Sequence, residues 1–213
     1  MGCFAVGCLT LLIIGFVLVA GVIGGTWYFC RKAADALTSS QPVELGITAP
    51  DEAQVRNAER SVTRVKTGIA TGQETTVAFT AADLNALVDR DPNFSEVRGR
   101  IRFDIANSIM TMRVSAPLDE IPWSRLQNRW LNASATFGFA YAFEMFRLDL
   151  RSAEINGYQL PEELCSNFVS SFNRRLNQSF QDKIRESEGA EFWDHVKSIS
   201  LEGDKLVVTT KND

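Results

Sequence analysis

Few residues in this chain of 213 are suited to proton transfer or nucleophilic attack. His195 is the single histidine and follows Asp194. Such a pair could act as a general base, and a Ser-His-Asp triad would have to be built around it. A lone histidine near a helix end is more often a capping or surface group, and the sequence has no GxSxG nucleophile elbow. Catalysis through histidine is therefore poorly supported.

Paired carboxylates are the other catalytic arrangement to consider, because glycosidases need only two acidic side chains. Asp119/Glu120 and Glu162/Glu163 are such pairs, but the first fits a turn and the second fits the first turn of a helix. One histidine and one cysteine beyond the N-terminal segment are too few for a zinc, haem or iron–sulfur site. No P-loop or GxGxxG is present. We predict a non-enzymatic protein without metal or cofactor.

A long apolar segment precedes these residues, since positions 3 to 30 contain no charged side chain. About 20 apolar residues suffice to cross a bilayer. Trp27 and Tyr28, followed by Arg31 and Lys32, have the pattern of a membrane interface. No basic residue precedes this pair, which argues against a cleaved signal peptide. We predict a transmembrane anchor over residues 1–32.

Small residues in this anchor permit helix pairing. Ala20 with Gly24, and Gly21 with Gly25, have small-xxx-small spacing. Gly24 and Gly25 are also small enough for a signal-peptide cleavage site, so cleavage of this segment is the alternative to a retained anchor.

The side of the membrane is predicted from two opposing signals. The positive-inside rule applied to Arg31 and Lys32 would place the domain in the cytoplasm. A β-rich domain directly after an N-terminal anchor is instead typical of export, and we favour an extracytoplasmic domain. The formal net charge of -4 and the scattered basic residues argue against nucleic acid as a partner.

Composition divides the remainder into a tether over 33–50, rich in small and turn-forming residues, and one domain over 51–213. Apolar residues from Val55 to Ile69 recur at helical spacing and predict a helix over 51–71. A short strand over ETTVAFT follows, and Thr80 with Asp83 forms a capping-box pattern that predicts a second helix. The fold class is therefore α+β.

Alternating segments predict an antiparallel sheet. VRGRIRFDIA and IMTMRVSAPL form a hairpin around Asn107-Ser108, and a second hairpin turns at Gly203-Asp204. The segment DEIPWSRLQNRWLN is a short helix on the core, an irregular crossover or an interfacial helix. ASATFGFAYAFEMFRLDLRSAEI is too long for one strand, so we predict a turn at 144–146. Asn156-Gly157 predicts another turn, and Pro161 begins a long amphipathic helix reaching about Glu188.

The strand TFGFAYAF poses a packing question. It places Phe137, Phe139, Tyr141 and Phe143 on one face and the small residues Gly138, Ala140 and Ala142 on the other. We expect the long C-terminal helix to cover the aromatic face, with Phe139 and Phe172 in one core. We expect the 51–71 helix to cover the small-residue face. The alternatives are that this face meets a partner or forms a groove open to an acyl chain.

FTAADLNALV (Phe79 to Val88), the antiparallel sheet that follows and the final EGDKLVV strand resemble the YpmS-like bacterial proteins, and NASATFGFAYAF with AEINGYQLPEEL extends the resemblance to about Thr210. Those proteins are single-pass anchored domains of unknown function. The resemblance implies an exported domain and transfers no catalytic residues. We therefore expect a membrane-anchored domain that binds or scaffolds an envelope protein, or pairs as a homodimer. The alternative is a module that binds lipid between helix and sheet.

Overall fold

The computed structural model describes residues 37–122, 124–180 and 190–212. The predicted anchor over 1–32, with its interface and pairing residues, lies outside these ranges. Among the helices that they contain, none combines the length and the hydropathy needed to cross a bilayer.

The described residues form an α+β fold around one eight-stranded antiparallel sheet, which confirms the predicted fold class at that level. The strands are β1 Thr76–Thr80, β2 Ile101–Ala106, β3 Ile109–Pro117, β4 Trp130–Ala142, β5 Met145–Ile155, β6 Tyr158–Gln159, β7 Val196–Glu202 and β8 Lys205–Thr210. The order is β1-β8-β7-β4-β3-β2, and β5 pairs with β4 and β6. The long β4–β5 hairpin is the centre of the sheet. Along the other edge of β4, β3 pairs over one half and β7 over the other.

Four helices accompany the sheet within the described ranges: α1 Glu52–Thr71, α2 Ala81–Arg90, α3 Glu162–Ser179 and α4 Ala190–His195. Asp51 caps α1, and Gly72 ends it in the left-handed conformation. Thr80 and Asp83 form the predicted capping box of α2. α3 begins after Pro161 as predicted, and the expected continuation to 188 falls on residues outside the described ranges.

One face of the sheet, the inner face, carries the main core. Phe139 and Phe172 belong to one buried cluster there, as predicted. Tyr141 and Phe146 lie 4.8 Å apart between ring centroids, and Phe146 lies 4.8 Å from Phe180. Val65 of α1 is fully buried in the same cluster. The expectation that α1 covers the small-residue face is therefore wrong, because its apolar stripe packs on the aromatic side.

The turn of the β4–β5 hairpin also differs from the prediction. Ala142 pairs with Met145, so Phe143 and Glu144 form the loop instead of residues 144–146. Phe143 is therefore not on the aromatic face, and the residue is 95% exposed. By contrast, the predicted turns at Asn107-Ser108 and Asn156-Gly157 are confirmed.

The connection between β3 and β4 is an irregular crossover with one short 3-10 turn, Ser124–Leu126. Leu126 is buried in a second, smaller cluster with Leu118, Leu131 and Ile155. Of the alternatives for this segment, the crossover is the one observed.

Side-chain amides of α3 form hydrogen bonds with the backbone of β5, along the edge of β5 that does not pair with β4. Asn177 accepts a hydrogen bond from the Phe146 N–H at 2.8 Å and donates one to the Phe146 carbonyl at 2.9 Å. Asn173 makes the same pair of bonds with Leu148, both at 2.9 Å. Four residues of helix advance about 6 Å and two residues of strand nearly 7 Å, so the two asparagines keep register with alternate strand residues. Asn85 of α2 likewise donates a hydrogen bond to the Phe103 carbonyl and accepts one from the Phe103 N–H, at the edge of β2.

Candidate functional site

The face opposite the core, the outer face, is crossed at one end by residues 38–46, which we call the strap. Ser39 and Trp130 exchange two backbone hydrogen bonds at 2.8 and 2.7 Å. Asn132 accepts from the Val43 N–H at 3.1 Å and donates to the Gln41 carbonyl at 3.0 Å. Much of the predicted tether is therefore docked on the sheet.

The strap is held further along by a buried side chain and by an arginine. Leu45 is buried, and Arg102 donates to the Leu45 carbonyl at 3.4 Å and to the Gly46 carbonyl. The chain then continues to Asp51, the cap of α1, and so passes from the outer to the inner face. The strap thus covers the end of the outer face near Trp130 and Asn132.

Two clefts lie beside the strap. One has a volume of about 480 Å³ and lies between the strap and Arg113, Asn132 and Glu154. The other, about 430 Å³, lies between residues 47–51, one side of α2 from Ala82 to Asp89, and Arg102. Charged and apolar groups are mixed in both, so neither is a continuous apolar tunnel.

The remaining part of the outer face is paved by small side chains. Gly138, Ala140 and Ala142 of β4 lie there, half-buried by their neighbours. Ala140 and Ala142 each pair with a residue of β7, which in turn pairs across β8 with a residue of β1. The two resulting rows, which we call the small-residue rows, are Ala78–Val207–Ser200–Ala140 and Thr76–Thr209–Ser198–Ala142. Ala78 and Thr76 are exposed at the far edge. The side chains of these rows carry no charge, but exposed charged residues adjoin them: Glu202 accepts a hydrogen bond from the Ser200 hydroxyl at 2.7 Å, and Arg147 pairs with Ala140 across β4 and β5.

Charged residues lie beside these rows on the same face. Arg151 pairs with Asp149 of the same strand at 2.7 Å, and both are about half exposed. Arg113 and Arg102 share Asp104 across β2 and β3. Exposed pairs of this kind contribute at most about 1 kcal/mol each, so they shape the surface more than they stabilise the fold.

The β4–β5 tip projects at the end of the outer face that the strap leaves open. Phe143 and Glu144 have φ of 52° and 60°, in the left-handed region. Met145, which follows them, is 61% exposed and pairs with Ala142 at the edge of the small-residue rows. Sequence reasoning missed this tip because it assigned Phe143 to the aromatic face. The signal that could have found it is the break in alternation between Phe143 and Phe146.

The residues considered for catalysis lie apart from one another. The His195 carbonyl accepts a hydrogen bond from the Lys211 N–H at 2.7 Å, at the end of α4. Asp119 accepts from the Asn128 N–H in the crossover, and Glu162 and Glu163 occupy the first turn of α3. Among the described residues, no three His, Cys, Asp or Glu side chains are grouped so as to hold a metal ion.

Cys165 is buried against β5. Burial raises the pKa of its thiol above the ordinary 9.0, a hydrogen bond with the Ala153 backbone lowers it, and the charge of Glu162 raises it. A raised pKa disfavours the thiolate, which is the nucleophilic form. This cysteine therefore has the environment of an inert core residue.

Comparison of the chain with protein-family models, curated proteins and solved structures finds no match.

Proposed function

We propose that this protein is a single-pass membrane-anchored domain of the cell envelope that binds or scaffolds a partner through the outer face of its sheet and catalyses no reaction. The uncharged segment over residues 3–30 supports anchoring. The resemblance to YpmS-like anchored proteins and the β-rich domain support an extracytoplasmic position.

The observation that carries this proposal is the docking of the strap. Residues 33–37 lie between the predicted anchor and Thr38, and five residues reach at most about 18 Å. The Trp130 end of β4 is therefore held near the bilayer, and 13 residues of strand rise about 40 Å to the tip. The strap therefore does not cover the small-residue rows, which lie on the outer face between the strap and the tip. Small residues allow another polypeptide to approach the sheet closely.

The competing function, lipid binding between helix and sheet, would need an apolar cavity of several hundred cubic ångströms. Ring contacts occupy the corresponding space among the described residues: Tyr141 lies 5.7 Å from Phe180 and 5.0 Å from Trp193. Such packing favours a binding surface over a lipid cavity.

Two measurements test this proposal. Alkaline extraction of membranes should retain the full chain in the pellet and release residues 33–213, and release of both would contradict the anchor. Native mass spectrometry of residues 33–213, purified without detergent and followed by lipid extraction, should give the mass of the protein alone. A stoichiometric lipid would favour the lipid-binding function instead.

The side of the membrane can be tested separately. In a full chain with Cys3, Cys8 and Cys30 replaced by serine, Lys205→Cys should react with a membrane-impermeant maleimide in intact cells. Labelling only after lysis would place the domain in the cytoplasm.

A further inference from the structure

The larger cleft beside the strap, which we call the strap cleft, is lined in part by a side-chain amide without partners. The nitrogen and the oxygen of the Asn156 side chain are both buried, and neither has a hydrogen-bond partner within the described residues. The two-residue turn explains an asparagine here (φ 49°) but not its burial, since Asn107 occupies the same place in the β2–β3 turn and is exposed. An unpaired buried donor and acceptor are unfavourable, so an occupant of the cleft that bonds this amide is favoured.

Elsewhere in this fold, asparagine amides hold extended chain. Asparagine side chains that bond both the N–H and the carbonyl of one strand residue are those of Asn85, Asn173 and Asn177. Asn132 bonds an N–H and a carbonyl of the strap in the same manner, and its own carbonyl accepts the Asn156 N–H at 2.7 Å. An amide side chain offers one acceptor and one donor group, which match the N–H and C=O of a peptide. The Asn156 amide is therefore suited to a second extended segment beside the strap.

The strap cleft has walls of opposite charge. On β5, Glu154 is exposed and makes no ion pair within the described residues. On β3, the Nε of Arg113 is buried without a partner, and this arginine shares Asp104 with Arg102. Ser134 pairs with both Arg113 and Glu154, so the two walls are separated by two strand spacings, about 10 Å. A ligand with a basic group and an acidic group complements both walls.

We propose that the strap cleft binds an extended peptide segment of a partner protein, with a basic side chain at Glu154 and a carboxylate at Arg113. In the complex the Asn156 amide turns into the cleft and bonds a peptide group. The volume of about 480 Å³ lies within the range of about 300–1,000 Å³ that is usual for ligand sites. This inference rests on the proposed function, because it names the part of the outer face that binds and the chemistry of the partner.

The test is photo-crosslinking in intact cells that express the full chain. A photoreactive amino acid replaces Ser134 in the strap cleft, Ala140 on the outer face beyond it, or the exposed control Lys66 on α1. Mass spectrometry should identify a peptide segment with basic and acidic side chains captured from Ser134 and not from Lys66. A lipid or another small molecule at Ser134, or a partner captured from Ala140 alone, would overturn the inference; the second result would leave the proposed function standing. No capture from Ser134 or Ala140 would overturn both.

Substitutions then decide whether the captured segment uses these groups, with a synthetic peptide of that segment titrated against the purified full chain in lipid nanodiscs. Asn156→Gly keeps the turn, because glycine accepts this φ, and Glu154→Gln removes an exposed charge; each should raise the Kd about fivefold or more. Asn107→Gly and Glu59→Gln make the same changes away from the cleft and should leave the Kd unaltered. Replacing the basic residue of the peptide by glutamine should weaken binding to the parent and have little further effect on Glu154→Gln. An unchanged Kd in both cleft variants would overturn the site, as when water alone bonds Asn156.

Discussion

The outer edge of β5 can be tested by replacing one of the asparagines that pair with it. Asn177→Ala removes the bond accepted from the Phe146 N–H at 2.8 Å and the bond donated to the Phe146 carbonyl at 2.9 Å. Both backbone groups belong to a strand whose other edge is already paired with β4. They therefore lose their protein partners and must find water at a half-buried site.

The expected magnitude follows from three terms. Each lost hydrogen bond costs about 1 kcal/mol net, giving about 2 kcal/mol for the pair. Alanine is a better helix former than asparagine by about 0.5 kcal/mol, which offsets part of the loss. The free energy of unfolding should therefore fall by about 1.5 kcal/mol, or about 3–6 °C in Tm for a domain of this size.

Urea unfolding of residues 33–213 measures this difference, with the exposed neighbour Gln178→Ala as the matched control, expected within about 0.5 kcal/mol of the parent. Hydrogen exchange gives a local readout, because the Phe146 amide should exchange faster in Asn177→Ala and not in Gln178→Ala. Equal stability of the two variants, together with an unchanged Phe146 amide, would refute the role of the helix amides.

Three further predictions concern single positions. Gly68→Ala should destabilise the domain by about 1–3 kcal/mol in urea unfolding despite the helix preference of alanine, because the added Cβ would lie 2.8 Å from the Thr75 side chain; a stabilised variant would contradict this packing. Phe143→Asn should raise the free energy of unfolding of residues 33–213 by about 0.5–1 kcal/mol, since asparagine tolerates the left-handed turn; a loss would mean that the ring packs within its own chain. Burial raises the pKa of Cys165, so its contribution to stability is fully present below the unfolded pKa near 9.0 and is lost as pH rises through the higher folded value. Unfolding measured from pH 8 to pH 10 should lose less stability in Cys165→Ala than in the parent, and parallel curves would refute the shift.

Features with a local cause were predicted well. Thr80 caps α2 through a bond to the residue three positions later, α1 begins next to the predicted Asp51, and the Asn107-Ser108 turn joins adjacent strands. The conformation of each depends on side chains within a few residues. The Phe143-Glu144 turn was misplaced for the converse reason, because neither residue is a turn former and the pairing of β4 with β5 imposes the reversal.

The polar residues of α3 illustrate another limit. Asn173 and Asn177 have the spacing of an ordinary solvated helix face in the sequence. Their roles follow from the strand edge that α3 meets, and this neighbour is more than 20 residues away along the chain. The partners of a polar side chain are set by tertiary contact, which its own periodicity does not specify.

By itself, the sequence determined the α+β class, the helix starts and most of the hairpins, and it predicted the anchor, because these depend on composition and short-range periodicity. The tertiary structure decided which face of the sheet each element meets. The apolar stripe of α1 predicts that one face of the helix is buried, but it does not specify the side of the sheet on which Val65 packs. The tertiary structure places Val65 in the aromatic core. The same choice leaves Ala140 and its neighbours on the outer face, with Phe143 exposed at the tip beside them.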